Sequence, residues 1–335
     1  MDAAAIRRSA ARFLMIGFDG PALTPTAASL LRQGVFGAIL FTRNYRDRAQ
    51  VAELCDAIKE SRNDEHDLTP AIAVDHEGGR VQRFRGPGFT DTLPMRDVGT
   101  HLEGAEQRAE AIGRLFAAEL RPLGIDIDFA PVVDVDSNPA NPVIGERSFS
   151  SDPAVVGRLG AAFIHGLQSG GVAACAKHFP GHGDTAVDSH LDLPRLPHGL
   201  TRLREIELPP FEAAVKANVA SVMTSHILFT SLDKDRPATM SPEALSILRR
   251  DMRYTGVIVS DDLEMKAIAA HYDVPSAAIE AINAGCDLLL ACHTGELQET
   301  LLDAIASAIG DGRIPADRVL DAELRRAALV RKFVR

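Results

Sequence analysis

Apolar and β-branched residues gather in short continuous runs: Phe13–Phe18, Gly37–Phe41, Ala71–Val74, Ile125–Val133, Ala173–Lys177, Ala220–Ser225, Gly256–Val259 and Asp287–Ala291. Short runs that are apolar throughout are expected of strands covered on both faces, the condition of a parallel sheet. Between them the period changes. Val51, Leu54, Cys55 and Ile58 recur at i, i+3, i+4 and i+7, and Ile112, Leu115, Phe116 and, less regularly, Leu120 repeat the pattern, so these segments predict helices that each bury one stripe. Asp152 before Pro153 and Ser241 before Pro242 place a side-chain acceptor at a helix N-cap and proline in the first turn. Leu320 to Val334 reads as a closing amphipathic helix.

Eight strands alternating with helices predict an α/β protein built as a single (β/α)8 TIM-type barrel. A doubly wound open sheet is the rival. No G-x-G-x-x-G follows the first strand, and polar residues stand after many strands instead of at one switch point, which favours the barrel. Neither a Ser/Gly-rich linker nor a composition shift divides the chain, so residues 1–335 are expected to form one catalytic barrel domain.

With 46% apolar and 24% charged residues the sequence is that of a globular protein and excludes disorder and fibrous repeats. Basic residues number 36 and acidic ones 46, a net charge of −10, which argues against nucleic acid or an anionic membrane as partner and for a small ligand. Cys55, Cys175, Cys286 and Cys292 are too widely spaced for a CxxC motif, and three lie in apolar runs; free core thiols in a reducing compartment are expected. Met1–Arg12 carries arginines without an apolar stretch of signal-peptide length, and no run of 18 apolar residues occurs, so no secretory signal, no membrane span and a cytoplasmic location are expected.

In a barrel of this kind the working side chains project from the C-terminal strand ends. There the sequence is polar: Asp75-His76-Glu77-Gly78-Gly79-Arg80 with Arg83 after the third run, Asp134 and later Arg147 after the fourth, Lys177-His178 after the fifth, Ser225-His226 after the sixth and Ser260-Asp261-Asp262 after the seventh. Carboxylates in a partly dry pocket need cations, which Arg83, Arg147 and Lys177 can supply, and a polyol, whose hydroxyls both donate and accept, suits the mixture. Lys177 to His190 holds three histidines and two aspartates among prolines and glycines, so it reads as a loop rather than a helix or core strand, serving either metal binding or acid–base work. In Asp188-x-His190 the carboxylate can hold one imidazole nitrogen while the other faces a substrate.

Four motifs, DHEGGRVQRF (75–84), NPVIGERS (141–148), KHFPGHGD (177–184) and SDDLEM (260–265), resemble in order those of family 3 glycoside hydrolases, and most of all the single-domain bacterial β-N-acetylglucosaminidases (β-hexosaminidases) of peptidoglycan recycling. The resemblance covers nearly the whole chain, and the second domain of some relatives is not expected here. It implies Asp261 as nucleophile, His190 as acid/base with Asp188 as its partner, and Asp75, Arg83, Arg147, Lys177 and His178 as sugar-binding residues. The implied reaction is retaining hydrolysis of terminal non-reducing β-linked GlcNAc through a covalent glycosyl-aspartate, without cofactor or metal. The implied substrate is the GlcNAc-1,6-anhydroMurNAc-peptide of cell-wall recycling, which would tie the protein to cell shape and division, and a monomer is expected. A histidine acid removes one negative charge from the site, so phosphate is expected to replace water in part. A loop that carries its own acid must approach the sugar and then admit water, so the segment at about 179–200 is expected to be mobile.

Alternatives follow from the same residues. The adjacent Asp261 and Asp262 could serve substrate-assisted hydrolysis by the acetamido group; because neighbouring side chains at a strand end point oppositely, one is expected to face the pocket and the other to be structural. A metal-dependent barrel hydrolase would use the loop histidines, and a non-enzymatic sugar-binding protein would not need Asp261 and His190 together. Expected structural roles fall to His182 and Asp184 inside the loop turn and to Glu77 paired with an arginine such as Arg80. Lys177 is expected to bind hydroxyls rather than form a Schiff base, while His226 and His293 either line the pocket or cap the sheet.

Overall fold

The computed structural model describes residues 2–61 and 69–335. Eight strands, β1 (Leu14–Ile16), β2 (Gly37–Leu40), β3 (Ala71–Val74), β4 (Ile127–Asp128), β5 (Ala173–Phe179), β6 (Ser221–Thr224), β7 (Val257–Asp262) and β8 (Leu288–Ala291), pair in parallel in chain order. The barrel closes with β8 against β1, Leu289 opposite Leu14. The (β/α)8 expectation therefore holds, with helices Arg48–Glu60, Ala105–Leu120 and Pro153–Ser169 among those lying outside it.

Strand alternation sorts the core into two clusters. Met15, Ile39, Ala73, Cys175, Met223, Val259 and Leu290 pack together inside the barrel, while their neighbours Ile16, Leu40, Val74, Ala174, Val222, Ile258 and Leu289 join the larger layer under the helices. The helix Ala316–Phe333 closes the N-terminal end, sending Leu329 and Phe333 into the inner cluster. Around that closure the buried Asp287 carboxylate pairs with Arg249, Arg318 and Arg325. The two cap sites hold as read: Asp152 accepts from the Ala154 N–H and Ser241 from the Ala244 N–H.

Most strand ends differ from the sequence pattern by a residue or two, and three of the differences bear on the site. The run Ile125–Val133 has a regular ladder only at Ile127–Asp128, because Pro131 has no N–H to give; the Ala130 and Pro131 carbonyls still accept from Cys175 and Lys177. β5 and β7 extend to Phe179 and Asp262, so Lys177, His178 and Phe179 belong to a strand and not to the loop. Charge marks the end of an apolar run, but a barrel strand continues past it where its upper end borders a polar cavity. All four cysteines are free and buried, and burial pushes the thiols of Cys55, Cys175 and Cys286 up to about 12. Among the described residues no helix is long and apolar enough to cross a membrane.

His76 is the oddest core residue. Its ring is wholly buried against Phe84, Phe89 and Phe116, edge-on to the last at 4.8 Å, and neither ring nitrogen has a hydrogen-bond partner. Burial, helped by the charges of Arg85 and Arg83, lowers the imidazole from 6.5 to about 3. The unfolded chain thus binds this proton first as pH falls, and the stability His76 contributes is complete above pH 6.5 and lost progressively toward pH 3. Between pH 7 and 4.5 the loss is on the order of 2 to 3 kcal/mol. Urea unfolding at the two pH values should show His76→Leu losing less stability than the parent by about that amount; equal losses would contradict it.

Candidate active site

The inward positions that fill the barrel continue upward with chemistry. Two residues beyond Ile39 stands Phe41, beyond Ala73 Asp75, beyond Cys175 Lys177, beyond Val259 Asp261 and beyond Leu290 Cys292, and all five line a cavity of about 430 Å³ at the C-terminal strand ends. Arg83, Arg147, His178 and His190 line it too. The cavity therefore gathers every residue the resemblance singled out except Asp188, which stands directly behind His190.

Its floor is a charge lattice. Lys177 Nζ lies 2.7 Å from Asp75 Oδ1 and 2.6 Å from Glu77 Oε1, and Arg83 reaches Asp75 Oδ2 at 3.2 Å. Arg147 grips Glu77 with two bonds of 2.8 Å. Burial opposes ionisation of both acids, but Lys177 and Arg83 hold Asp75 below the usual carboxylate range, and Arg147 and Lys177 do so more strongly for Glu77. Burial likewise works against the Lys177 charge, and Asp75 and Glu77 overcome it, keeping the ammonium protonated and unable to act as an amine nucleophile.

Glu77 is paired, but with Arg147 and Lys177 rather than Arg80. The turn between His76–Gly78 and Val81–Gln82 needs left-handed backbone at Gly78 (φ 90°) and Gly79 (φ 54°), which glycine adopts freely. That turn carries Arg80 outward to the Val143 carbonyl, with Glu146 at 4.0 Å, while the 3-10 turn Gly145–Arg147 points Arg147 back at the acid.

Asp134 is wholly buried and does not line the cavity. Its carboxylate accepts from the His178 backbone N–H at 3.1 Å, the His178 Nδ1–H at 2.7 Å and the His182 N–H at 2.7 Å. His178 is thereby fixed in one tautomer, leaving Nε2 for the cavity. The Lys177–His178 and Phe179–Pro180 peptides are cis.

The two aspartates of β7 have different surroundings. Asp261 accepts one internal hydrogen bond, from the Asp262 N–H at 2.8 Å. Burial raises its proton affinity, and the imidazoles of His226 and His178 with that N–H outweigh burial, so the carboxyl titrates below its ordinary value. Asp262 is occupied: Oδ1 takes the N–H groups of Cys292 and Glu264, each at 3.1 Å, and Oδ2 lies 3.3 Å from His293 Nε2. His226 sits behind the cavity, bonded to Thr239 Oγ1 (2.8 Å) and the Asp262 carbonyl (3.0 Å). His293 stands at the mouth, stacked on Phe41, and the Asp262 carboxylate pushes its imidazole above the usual value.

His190 lies on the loop after β5. Asp188 Oδ1 accepts both its N–H (2.9 Å) and its Nδ1–H (2.8 Å), which presents Nε2 outward. Burial pulls against ionisation of Asp188, and the two His190 bonds keep it below the ordinary carboxylate range. Gly183 lets the loop run against the barrel, since a Cβ there would meet the Val135 carbonyl oxygen at 1.7 Å. Asp184 is a loop fastener: it accepts from Ser137 Oγ (3.0 Å) and meets His198 Nε2 (2.7 Å), tying the two ends of the loop together. His182 also works within the loop, between Thr185 and Ser189.

Sequence reasoning missed Phe41, Ser189, Glu264 and Lys266, all lining the cavity. Phe41 could have been found by continuing the β2 alternation, whereas Ser189 and Lys266 are placed by loop and turn geometry that leaves no periodic trace. Among the described residues no three His, Cys, Asp or Glu side chains are grouped to hold a metal ion.

A cavity walled by paired acids and bases can bind hydroxyls from several directions, and an ionised carboxylate lining the same cavity as a carboxylate-held imidazole can offer displacement at carbon with proton transfer, the equipment of a sugar-cleaving barrel enzyme. Residues 6–329 match the glycosyl hydrolase family 3 N terminal domain. A β-hexosaminidase of Methylococcus capsulatus is 40% identical over 336 residues, spanning 95% of this chain and 97% of its own. NagZ from Neisseria gonorrhoeae superposes with a TM-score of 0.79 at 35% identity, covering 94% of this chain and 97% of that one. A family 3 β-N-acetylglucosaminidase from Paenibacillus sp. gives 0.93 at 39% identity over 97% of this chain, which spans 62% of that longer protein. The chain belongs to glycosyl hydrolase family 3, and it is a glycoside hydrolase.

Proposed function

We propose that the protein is a retaining β-N-acetylglucosaminidase that removes terminal non-reducing β-linked GlcNAc. Asp261 attacks the anomeric carbon as the bond to the leaving oxygen breaks, and His190 Nε2–H gives that oxygen its proton. Water then attacks the glycosyl ester, its proton passes to His190, and Asp261 leaves as carboxylate. Asp75, Arg83, Arg147, Lys177 and His178 bind the sugar hydroxyls and acetamido group, and the loop at about 179–200 opens and closes around each turnover. The observation that carries this reading is the Asp261 carboxylate sharing one cavity with His190, whose ring Asp188 holds from behind. Relatives named β-hexosaminidase support it, as does a NagZ relative in complex with N-trifluoroacetyl-D-glucosamine. Substrate-assisted cleavage is less well served, because Asp262, its second carboxylate, is taken up by two backbone N–H groups and His293.

The proposed natural substrate is a GlcNAc-1,6-anhydroMurNAc-peptide, cleaved by a cytoplasmic monomer in cell-wall recycling without cofactor. Proton NMR of the first sugar released from an aryl N-acetyl-β-glucosaminide should show the β-hemiacetal, and the disaccharide peptide should be cut to free GlcNAc. An α-product at first turnover would overturn the double displacement.

A further inference from the structure

We infer that Ser189 is a positioning residue: held between the ring of His182 and the backbone N–H of Ala267, it docks the acid-bearing loop onto the turn that follows the nucleophile strand. The inference rests on the reading of His190 as the proton donor. Ser189 directly precedes His190 and is 2% exposed, although His190 and Leu191 on its C-terminal side are open to solvent. Its Oγ lies 3.0 Å from His182 Nε2, and its carbonyl accepts from Ala267 N–H at 3.2 Å.

Both halves of the dock are themselves fixed. The His182 N–H donates to Asp134 at 2.7 Å, its carbonyl accepts from Asn141 Nδ2 at 2.8 Å, and its Nδ1 meets Thr185 Oγ1 at 2.9 Å. Burial lowers the ring to about 4, so at working pH it is neutral and can exchange one donor and one acceptor with the two hydroxyls. Ala267 lies in the one-turn helix Lys266–Ala269, a few residues beyond Asp261 on the same continuous stretch of chain. A weaker surface tie follows, His271 Nε2 to Asp192 Oδ1 at 2.6 Å. The imidazole that must hand a proton to the leaving oxygen is thus referenced to the strand that carries the attacking carboxylate. Losing the Ser189 hydroxyl would leave the buried His182 Nε2 without its partner and loosen the backbone next to His190.

The test compares Ser189→Ala and Ser189→Thr with the parent enzyme on a 2,4-dinitrophenyl N-acetyl-β-glucosaminide, whose leaving group needs no proton, and on a β-linked GlcNAc disaccharide, whose leaving group does. For Ser189→Ala, kcat/KM should fall about tenfold on the disaccharide and by less than about twofold on the dinitrophenyl glycoside. Ser189→Thr, which keeps the hydroxyl, should recover most of the loss. Since the chain has no tryptophan, Leu191→Trp supplies a single tryptophan, excited apart from the three tyrosines, on the loop, and its quenching by acrylamide should rise in the Ser189→Ala background. An equal fall on both substrates, or none on either, overturns the inference. His190→Ala is run beside it: leaving-group selectivity there without selectivity in Ser189→Ala removes the dock alone, whereas its absence in His190→Ala removes the acid assignment and the dock with it.

Discussion

Replacing Asp261 with alanine is expected to lower kcat/KM by about 10⁴-fold or more on every N-acetylglucosaminide, whatever its leaving group. The reason lies in what each carboxylate of the cavity is free to do. Asp75 and Glu77 are neutralised by Lys177, Arg83 and Arg147, and Asp262 and Glu264 are spent on backbone donors. Asp261 keeps its charge while accepting a single internal bond, so its other oxygen has nothing inside the protein to displace before attack. On the proposed reading its substitution leaves a hole beneath the anomeric carbon, and among the described residues no other uncommitted carboxylate lines the cavity to fill it. Added azide should enter that hole and form the α-glycosyl azide from the dinitrophenyl glycoside, restoring part of the turnover with inverted configuration. In the parent enzyme, a slow fluorinated N-acetylglucosaminyl donor should leave a covalent sugar on the peptide containing Asp261. A label on another residue, or a loss confined to poor leaving groups, would refute the assignment.

The barrel was legible because each strand is apolar on both faces and each helix keeps a stripe, patterns set by burial alone. The cavity floor was partly legible for the same reason. Asp75, Lys177 and Asp261 continue the inward alternation of β3, β5 and β7, so composition at strand ends pointed to them. What the pattern could not give was pairing across strands. The partner of Glu77 turned out to be Arg147, seventy positions later, because two glycines swing the nearby Arg80 away; local proximity in sequence had suggested the opposite. Position after the fourth run marks Asp134 as one more pocket acid, yet it is the buried support for His178 and His182, a role visible only once β4 and β5 lie side by side. His190 sits on a loop, where no period exists, and only the Asp-x-His spacing and the resemblance marked it.

His190→Ala should divide substrates by the acidity of what leaves. On a GlcNAc disaccharide, whose alkoxide cannot depart unprotonated, kcat/KM should fall by about 10² to 10⁴, the span that a positioned general acid contributes. On the dinitrophenyl glycoside the first step needs no proton, and kcat/KM should stay within about tenfold of the parent. The second step still needs His190 as base, so glycosyl-enzyme should accumulate: kcat falls, KM falls with it, and a burst of dinitrophenol precedes the steady state. Azide, a nucleophile with no proton to lose, should then raise kcat and give the β-glycosyl azide, the configuration opposite to that from Asp261→Ala. Asp188→Asn is expected to follow the same ranking more weakly, because the amide can still accept the Nδ1–H bond that orients the ring but supplies no charge to stabilise the imidazolium. If His190→Ala lowers kcat/KM equally across the leaving-group series, the imidazole is not the acid, and the Asp188–His190 pair must be serving the loop's shape instead.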